Sequence, residues 1–202
     1  MKGKQKRFGF DLDNTLIDYS NSVREYCSKN ELGDISSVGE LRSTLRTSDP
    51  SGRLWTIAQG WLYTDGLAHA KPTNGAVELC EYLMRSDFEL FIVSHKTTHS
   101  PDFCGRKPLH DKATNWITHG DLATFFLGAQ KIYYEPTRVK KVERIKKMNF
   151  DYFVDDLIEV FEEPGYPKNV ESFLLSEEGA EIPGVQRVHS LLMIQEFIED
   201  ER

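Results

Sequence analysis

Residues 7–18 read RFGFDLDNTLID, and this stretch decides the fold. Phe8, Phe10 and Leu12 alternate with smaller or polar residues, the period-2 pattern of a strand. Two aspartates, Asp11 and Asp13, stand at its end. An unpaired buried carboxylate is costly, and two close together also repel each other. Asp13-Asn14 by itself suits a strand end followed by an Asx-type turn. A buried strand with two acidic residues at its tip asks for something more, a compensating charge supplied from elsewhere.

The chain around this stretch alternates strand and helix. FELFIVSHK (88–96) has a short continuous apolar core, as strands covered on both faces of a parallel sheet do. QKIYY (130–134), FDYFVDD (150–156) and ESFLLS (171–176) read as three further strands. Helical spacing marks AVELCEYLMR (76–85), LHDKATNWITHG (109–120), the basic RVKKVERIKKM (138–148) and LLMIQEFIED (191–200). Residues 19–70 look helical and polar, with breaks at Gly33, Asp49-Pro50 and Ser51-Gly52. Their apolar residues are concentrated in LWTIAQGWLY (54–63). Repeated strand–helix alternation predicts an α/β fold with a mainly parallel sheet.

At 202 residues, the chain has room for one well-buried domain and a small accessory subdomain. A net charge of −7 argues against nucleic acid or an anionic membrane as the main partner. Cys27, Cys80 and Cys104 are odd in number and lack CxxC spacing, which suits a reducing compartment. No apolar stretch follows the basic MKGKQKR start, so it does not read as a secretory signal. No apolar run approaches the length of a membrane span. The expectation is a cytoplasmic protein.

Ligands of open α/β sheets bind beyond the carboxyl ends of the strands. Asp11 with Asp13, Ser94, and Asp155 with Asp156 occupy that end of three expected strands. Four carboxylates and a hydroxyl form a hard oxygen donor set, which selects Mg²⁺. Each polar group also has a plainer reading. Ser94 could cap a helix, and Asp155 or Asp156 could cap the helix that follows.

In this pattern the sequence resembles the haloacid dehalogenase (HAD) superfamily, most of whose members are phosphatases. Its DxDx(T/V) motif is matched by Asp11-Leu12-Asp13-Asn14-Thr15, and its apolar strand ending in Ser/Thr by Phe91-Ile92-Val93-Ser94. Its lysine at a helix start has two candidates, Lys140 and the favoured Lys141. Its acid-tipped strand is matched by Tyr152-Phe153-Val154-Asp155-Asp156. The acidic residue expected a little beyond that pair is only approximated by Glu159, and the lysine stands close before the strand.

The resemblance implies a Rossmann-like core in 1–18 and 71–202, with a small helical cap at 19–70 inserted after the first strand. It implies Mg²⁺-dependent hydrolysis of a small soluble phosphomonoester, such as a nucleotide or sugar phosphate, through an aspartyl-phosphate. Asp11 would be the nucleophile and Asp13 the general acid and base. Asp11, the main-chain carbonyl of Asp13, and Asp156 would hold Mg²⁺, with Asp155 close by. Ser94 and Lys141 would contact the phosphoryl group, Thr15 would position Asp13, and His95 is a further candidate substrate contact. Two rival readings share the fold: a phosphotransferase or phosphomutase using the same aspartyl-phosphate, and a non-catalytic binding protein.

The loop after Ser94 carries His95, His99, Cys104 and His110 within sixteen positions. It resembles the zinc loop of heptose-bisphosphate phosphatases but has one cysteine where that loop has several, and structural zinc takes four N/S ligands. Solvated or substrate-facing histidines are the expectation here. Trp55, Trp61 and Trp116 read as packing residues, with one in the cap as a candidate for lining the substrate pocket.

Overall fold

The computed structural model describes residues 5–128, 130–177, 179 and 181–200. The first four residues of the basic start, 1–4, lie outside that set.

The elements run β1 (Lys6–Phe10), β2 (Ile17–Asp18), α1 (Ser20–Lys29), α2 (Val38–Ser48), α3 (Arg53–Leu62) and β3 (Lys71–Pro72). Then follow α4 (Ala76–Arg85), β4 (Phe88–His95), α5 (Leu109–His119), α6 (Ala123–Phe126), β5 (Ile132–Glu135) and α7 (Arg138–Met148). The chain closes with β6 (Tyr152–Asp155), α8 (Ile158–Phe161), β7 (Glu171–Leu175), β8 (Val185–Val188) and α9 (Leu191–Asp200). Among the described residues, six strands form one parallel sheet in the order β5-β4-β1-β6-β7-β8.

β1 sits inside the sheet because it is apolar on both faces. Phe8 and Phe10 join the larger core with Leu90, Ile92, Val154 and Phe173, covered by Leu79 and Leu83 of α4 and Ile194 and Ile198 of α9. Phe91, Val93 and Phe153 point the other way, onto Val142, Ile145 and Met148 of α7. Gly9 faces this second layer. A Cβ built there would lie 2.5 Å from Phe153 Cδ2 and 2.9 Å from Phe150 Cε2, and both rings are buried. We expect Gly9→Ala to destabilise the protein by about 1–3 kcal/mol through overpacking, measured by denaturant unfolding. An unchanged midpoint would mean that the two rings yield freely.

Register brings the strand tips level. Phe10 pairs with Ile92 on one side and with Val154 on the other, and the Asp11 amide donates to the Val154 carbonyl at 2.9 Å. From β1 the chain moves outward to β4 and β5, then crosses back to β6 on the opposite side. Strand order therefore reverses beside β1, and such a switch point opens a crevice at the carboxyl edge.

Helix boundaries follow from local chemistry. Ser37 Oγ accepts from the Glu40 amide at 3.1 Å, and Thr137 Oγ1 accepts from the Lys140 amide at 3.2 Å, fixing the starts of α2 and α7. Asn149 ends α7 in the left-handed conformation, with φ 50°. The two-residue strands β2 and β3 pair antiparallel, Ile17 with Pro72 and Asp18 with Lys71. The segment between them, holding α1, α2 and α3, thus leaves and re-enters the chain's core at one place.

Three features were not expected from the sequence: β8 at the sheet edge, the β2–β3 ribbon, and the one-turn helix α6. On α4, Met84 is exposed, although helical spacing groups it with Val77, Leu79, Cys80 and Leu83.

Candidate active site

The level strand tips place Asp11, Ser94, Asp155 and Asp156 around one crevice. Asp11 is the first residue beyond β1, Ser94 is the next-to-last residue of β4, and Asp155 ends β6. Asp11, Ser94 and Asp155 are all 5% exposed or less. One carboxylate oxygen from each of Asp11, Asp155 and Asp156 lies within 4.8 Å of the other two.

Lys141 comes down onto this group from the first turn of α7. Its ammonium bonds Asp11 Oδ1 and lies 2.6 Å from Asp155 Oδ2. Lys140 instead points to solvent and pairs with Glu143 at 2.6 Å, so of the two it is Lys141 that reaches Asp11. Burial pushes the Asp11 carboxyl up to about 7; Lys141 opposes the shift, and Asp155 and Asp13 reinforce it. Asp156 is raised well above the carboxylate range, first by burial and then by Asp11 and Asp155. Burial works against the Lys141 charge, but the Asp11 and Asp155 carboxylates outweigh it and hold the amine above its usual value.

Asp13 is held apart from the other carboxylates. Its Oδ2 lies 2.7 Å from the Lys96 ammonium, and its Oδ1 accepts from the Tyr19 hydroxyl at 2.6 Å. Thr15, expected to position Asp13, is fully buried, and its Oγ1 finds no hydrogen-bond partner among the described residues. It is not among the residues that line the cleft. The contacts of Asp13 are with Tyr19 and Lys96 instead.

Asp155 Oδ1 accepts from the Leu157 amide at 3.1 Å, so it both caps the turn after β6 and reaches Lys141. Asn14 Nδ2 donates to Asp156 Oδ2 at 3.3 Å. Glu159 is exposed on α8 and stays outside the carboxylate trio.

A cleft of about 350 Å³ lies over these groups. Asp11, Asp13, Ser94, His95, Lys96, Lys141 and Asp156 form its floor, and Thr56, Gln59, Gly60 and Tyr63 of the inserted segment face them. His95 is therefore at the cleft, with Nε2 3.2 Å from the Pro136 carbonyl. Burial lowers its pKa from the ordinary histidine value. The aromatic residue that lines the cleft from the insert is Tyr63. Trp55 is buried in the main core and Trp61 packs beside it, so the expectation of a tryptophan there is corrected. His110 Nε2 lies 2.9 Å from the Lys96 carbonyl, and Cys104 Sγ is 3.7 Å from the Thr56 carbonyl.

Charge counting shows what the site lacks. Asp11, Asp13, Asp155 and Asp156 face Lys141 and Lys96, which leaves two negative charges in excess when all are ionised. Arg138 also lines the cleft, but its Nε is paired with Glu163 at 2.7 Å. Two uncompensated charges on three converging carboxylates match one divalent cation, and an all-oxygen donor set favours Mg²⁺ over softer metals.

No protein-family model matches the sequence, and no curated protein matches it. Solved structures do match. A HAD-superfamily hydrolase from Ehrlichia chaffeensis superposes with a TM-score of 0.58 at 17% identity, covering 99% of this chain and 98% of that one. A predicted phosphatase from Clostridium acetobutylicum gives 0.60 at 15% identity, over 98% of this chain and all of the other. The HAD-hydrolase YfnB of Bacillus subtilis, a magnesium-bound structure, gives 0.59 at 13% identity over 98% and 100%. Likeness at such identities concerns the fold: a Rossmann-like α/β architecture shared with HAD-superfamily hydrolases.

Proposed function

We propose that this chain, on the fold it shares with HAD-superfamily hydrolases, is a Mg²⁺-dependent phosphatase acting on small soluble phosphomonoesters. One observation carries the reading: the Asp11 carboxylate lies at a strand-order reversal, gripped by a buried lysine and crowded by Asp155 and Asp156.

Asp11 attacks phosphorus and forms an aspartyl-phosphate, so that one hard displacement becomes two easier ones. Lys141 neutralises both Asp11 and the incoming phosphoryl oxygens, and Ser94 donates to one of those oxygens. Asp13 protonates the leaving alcohol and then takes a proton from the attacking water. Asp11, Asp156 and the main-chain carbonyl of Asp13 would hold Mg²⁺, with Asp155 beside them. When bound, the ion shields the substrate's charge from the attacking carboxylate. His95 stands at the rim as a substrate contact. The segment 19–70 serves as a cap over the site, with Thr56, Gln59 and Tyr63 toward the leaving group, and closure would exclude water.

A phosphate-release screen over a panel of metabolite phosphomonoesters tests this function. Inorganic phosphate should appear in Mg²⁺, fall to background in EDTA, and return when Mg²⁺ is restored. The cation should also raise the melting temperature, because it binds the folded site and not the unfolded chain. Turnover that persists in EDTA, or phosphoryl transfer to a second alcohol without release, would contradict the hydrolase reading.

A further inference from the structure

Among the described residues, Lys96 is a second buried lysine in the cleft, and the reaction outlined above gives it no task. Its side chain is 2% exposed. Burying an ammonium costs several kcal/mol unless partners compensate it. Its partners are the Asp13 carboxylate at 2.7 Å and the face of the Tyr63 ring, whose centroid is 3.8 Å from Nζ.

The backbone under Lys96 is clamped on two sides. Its amide donates to the Glu135 carbonyl at 2.9 Å, and its carbonyl lies 2.9 Å from His110 Nε2. His110 is in turn stacked on Tyr134, with ring centroids 4.5 Å apart. The ammonium is thus delivered to Asp13 from a fixed point at the end of β4. Tyr19, the first residue beyond β2, reaches the other Asp13 oxygen. Two donors from separate elements, one on each oxygen, define the plane of a carboxyl group. A carboxyl has about four lone-pair sites, so each oxygen keeps a free position for a proton in flight.

We propose that Lys96, together with Tyr19, is a positioning residue that aims Asp13 at the leaving-group oxygen. The inference rests on the phosphatase reading. In the step concerned, Asp11 forms the new oxygen–phosphorus bond while the bond from phosphorus to the leaving oxygen breaks. The electron pair of the broken bond goes to that oxygen, which receives the proton from Asp13. Aim matters most when the leaving group is a poor one. An alkoxide must be protonated as it departs, whereas a nitrophenolate departs unaided.

The test compares two esters, glycerol 1-phosphate and p-nitrophenyl phosphate, in wild type, Lys96→Met and Tyr19→Phe, with thermal melts of each. kcat/KM reports the steps up to departure of the first product, so it isolates the step in question. The alkyl-to-aryl ratio of kcat/KM should fall about a hundredfold in Lys96→Met, within the range that general acid catalysis contributes. Tyr19→Phe should move the ratio in the same direction and to a smaller extent, and Asp13→Asn should move it at least as far as Lys96→Met. A ratio unchanged in both Lys96→Met and Tyr19→Phe would overturn the inference, because a merely structural lysine slows both esters alike. If Lys96→Met does not fold, the ratio in Tyr19→Phe decides. A wild type inert toward both esters would overturn the phosphatase reading and this inference with it. An active wild type with an unmoved ratio removes the inference alone.

Discussion

Asp11→Asn is expected to lower phosphomonoester turnover by at least about a thousandfold, the scale on which loss of a covalent nucleophile acts. Asparagine fits the same space but brings neither the negative charge nor the nucleophilic oxygen. The fold should survive the change. Asp11 is pushed up to about 7 by burial and by its acidic neighbours, so removing its charge relieves repulsion with Asp155 and Asp13. Lys141 keeps Asp155 as a partner. The variant should therefore melt at or above the wild-type temperature while its activity disappears. Phosphate release and a thermal melt, run on the same preparation, check both halves. A variant that keeps most of its activity would rule out Asp11 as the attacking group.

The second large effect is expected at Lys141. Its ammonium is 1% exposed and is shared by two buried carboxylates, Asp11 and Asp155. Lys141→Met fills the volume but leaves both buried acids without their shared cation. Breaking a buried ion pair from one side costs about 3–5 kcal/mol, and denaturant unfolding should show a loss of that order. Activity should vanish as well, because nothing remains to neutralise the transferring group. The matching change at position 140 is expected to cost under about 0.5 kcal/mol, since that lysine makes one exposed pair with Glu143. Similar losses at the two positions would contradict the placement of Lys141 at the centre of the site.

The elements that carry this chemistry were legible because each lies next to an apolar run. Asp11, Ser94 and Asp155 stand at the ends of FGF, LFIV and YFV, and parallel pairing brings such ends level. The choice between Lys140 and Lys141 had a signal of its own in helix phase. Lys141 lies four residues before Ile145 and seven before Met148, both on the buried face of α7, and Lys140 is a step out of phase. Lys96 was harder to foresee. A lysine just past a strand usually reaches solvent, and its burial depends on Tyr63, which comes from a segment more than thirty residues earlier.

The role that the DxDx(T/V) resemblance implies for Thr15 has no hydrogen bond to Asp13 beside it. The turn at Asn14, with φ 61°, carries the Thr15 backbone onward, and the side chain ends up fully buried and away from the cleft. β8 escaped notice for a different reason. VQRV at a sheet edge has only Val188 fully buried, so it carries no continuous apolar run. The β2–β3 ribbon is two residues long on each side, too short for any periodicity to show.

We expect the Asp11 carboxylate to become covalently bonded to phosphorus during turnover. The most direct test is rapid acid quenching of the protein during steady-state hydrolysis of p-nitrophenyl phosphate with Mg²⁺, followed by peptide mass mapping. A mass increase of one phosphoryl group should appear on the peptide that contains Asp11, and be lost when the quench is delayed until substrate is exhausted. Turnover with no adduct, or an adduct on a peptide containing His95 instead, would contradict covalent attack by Asp11.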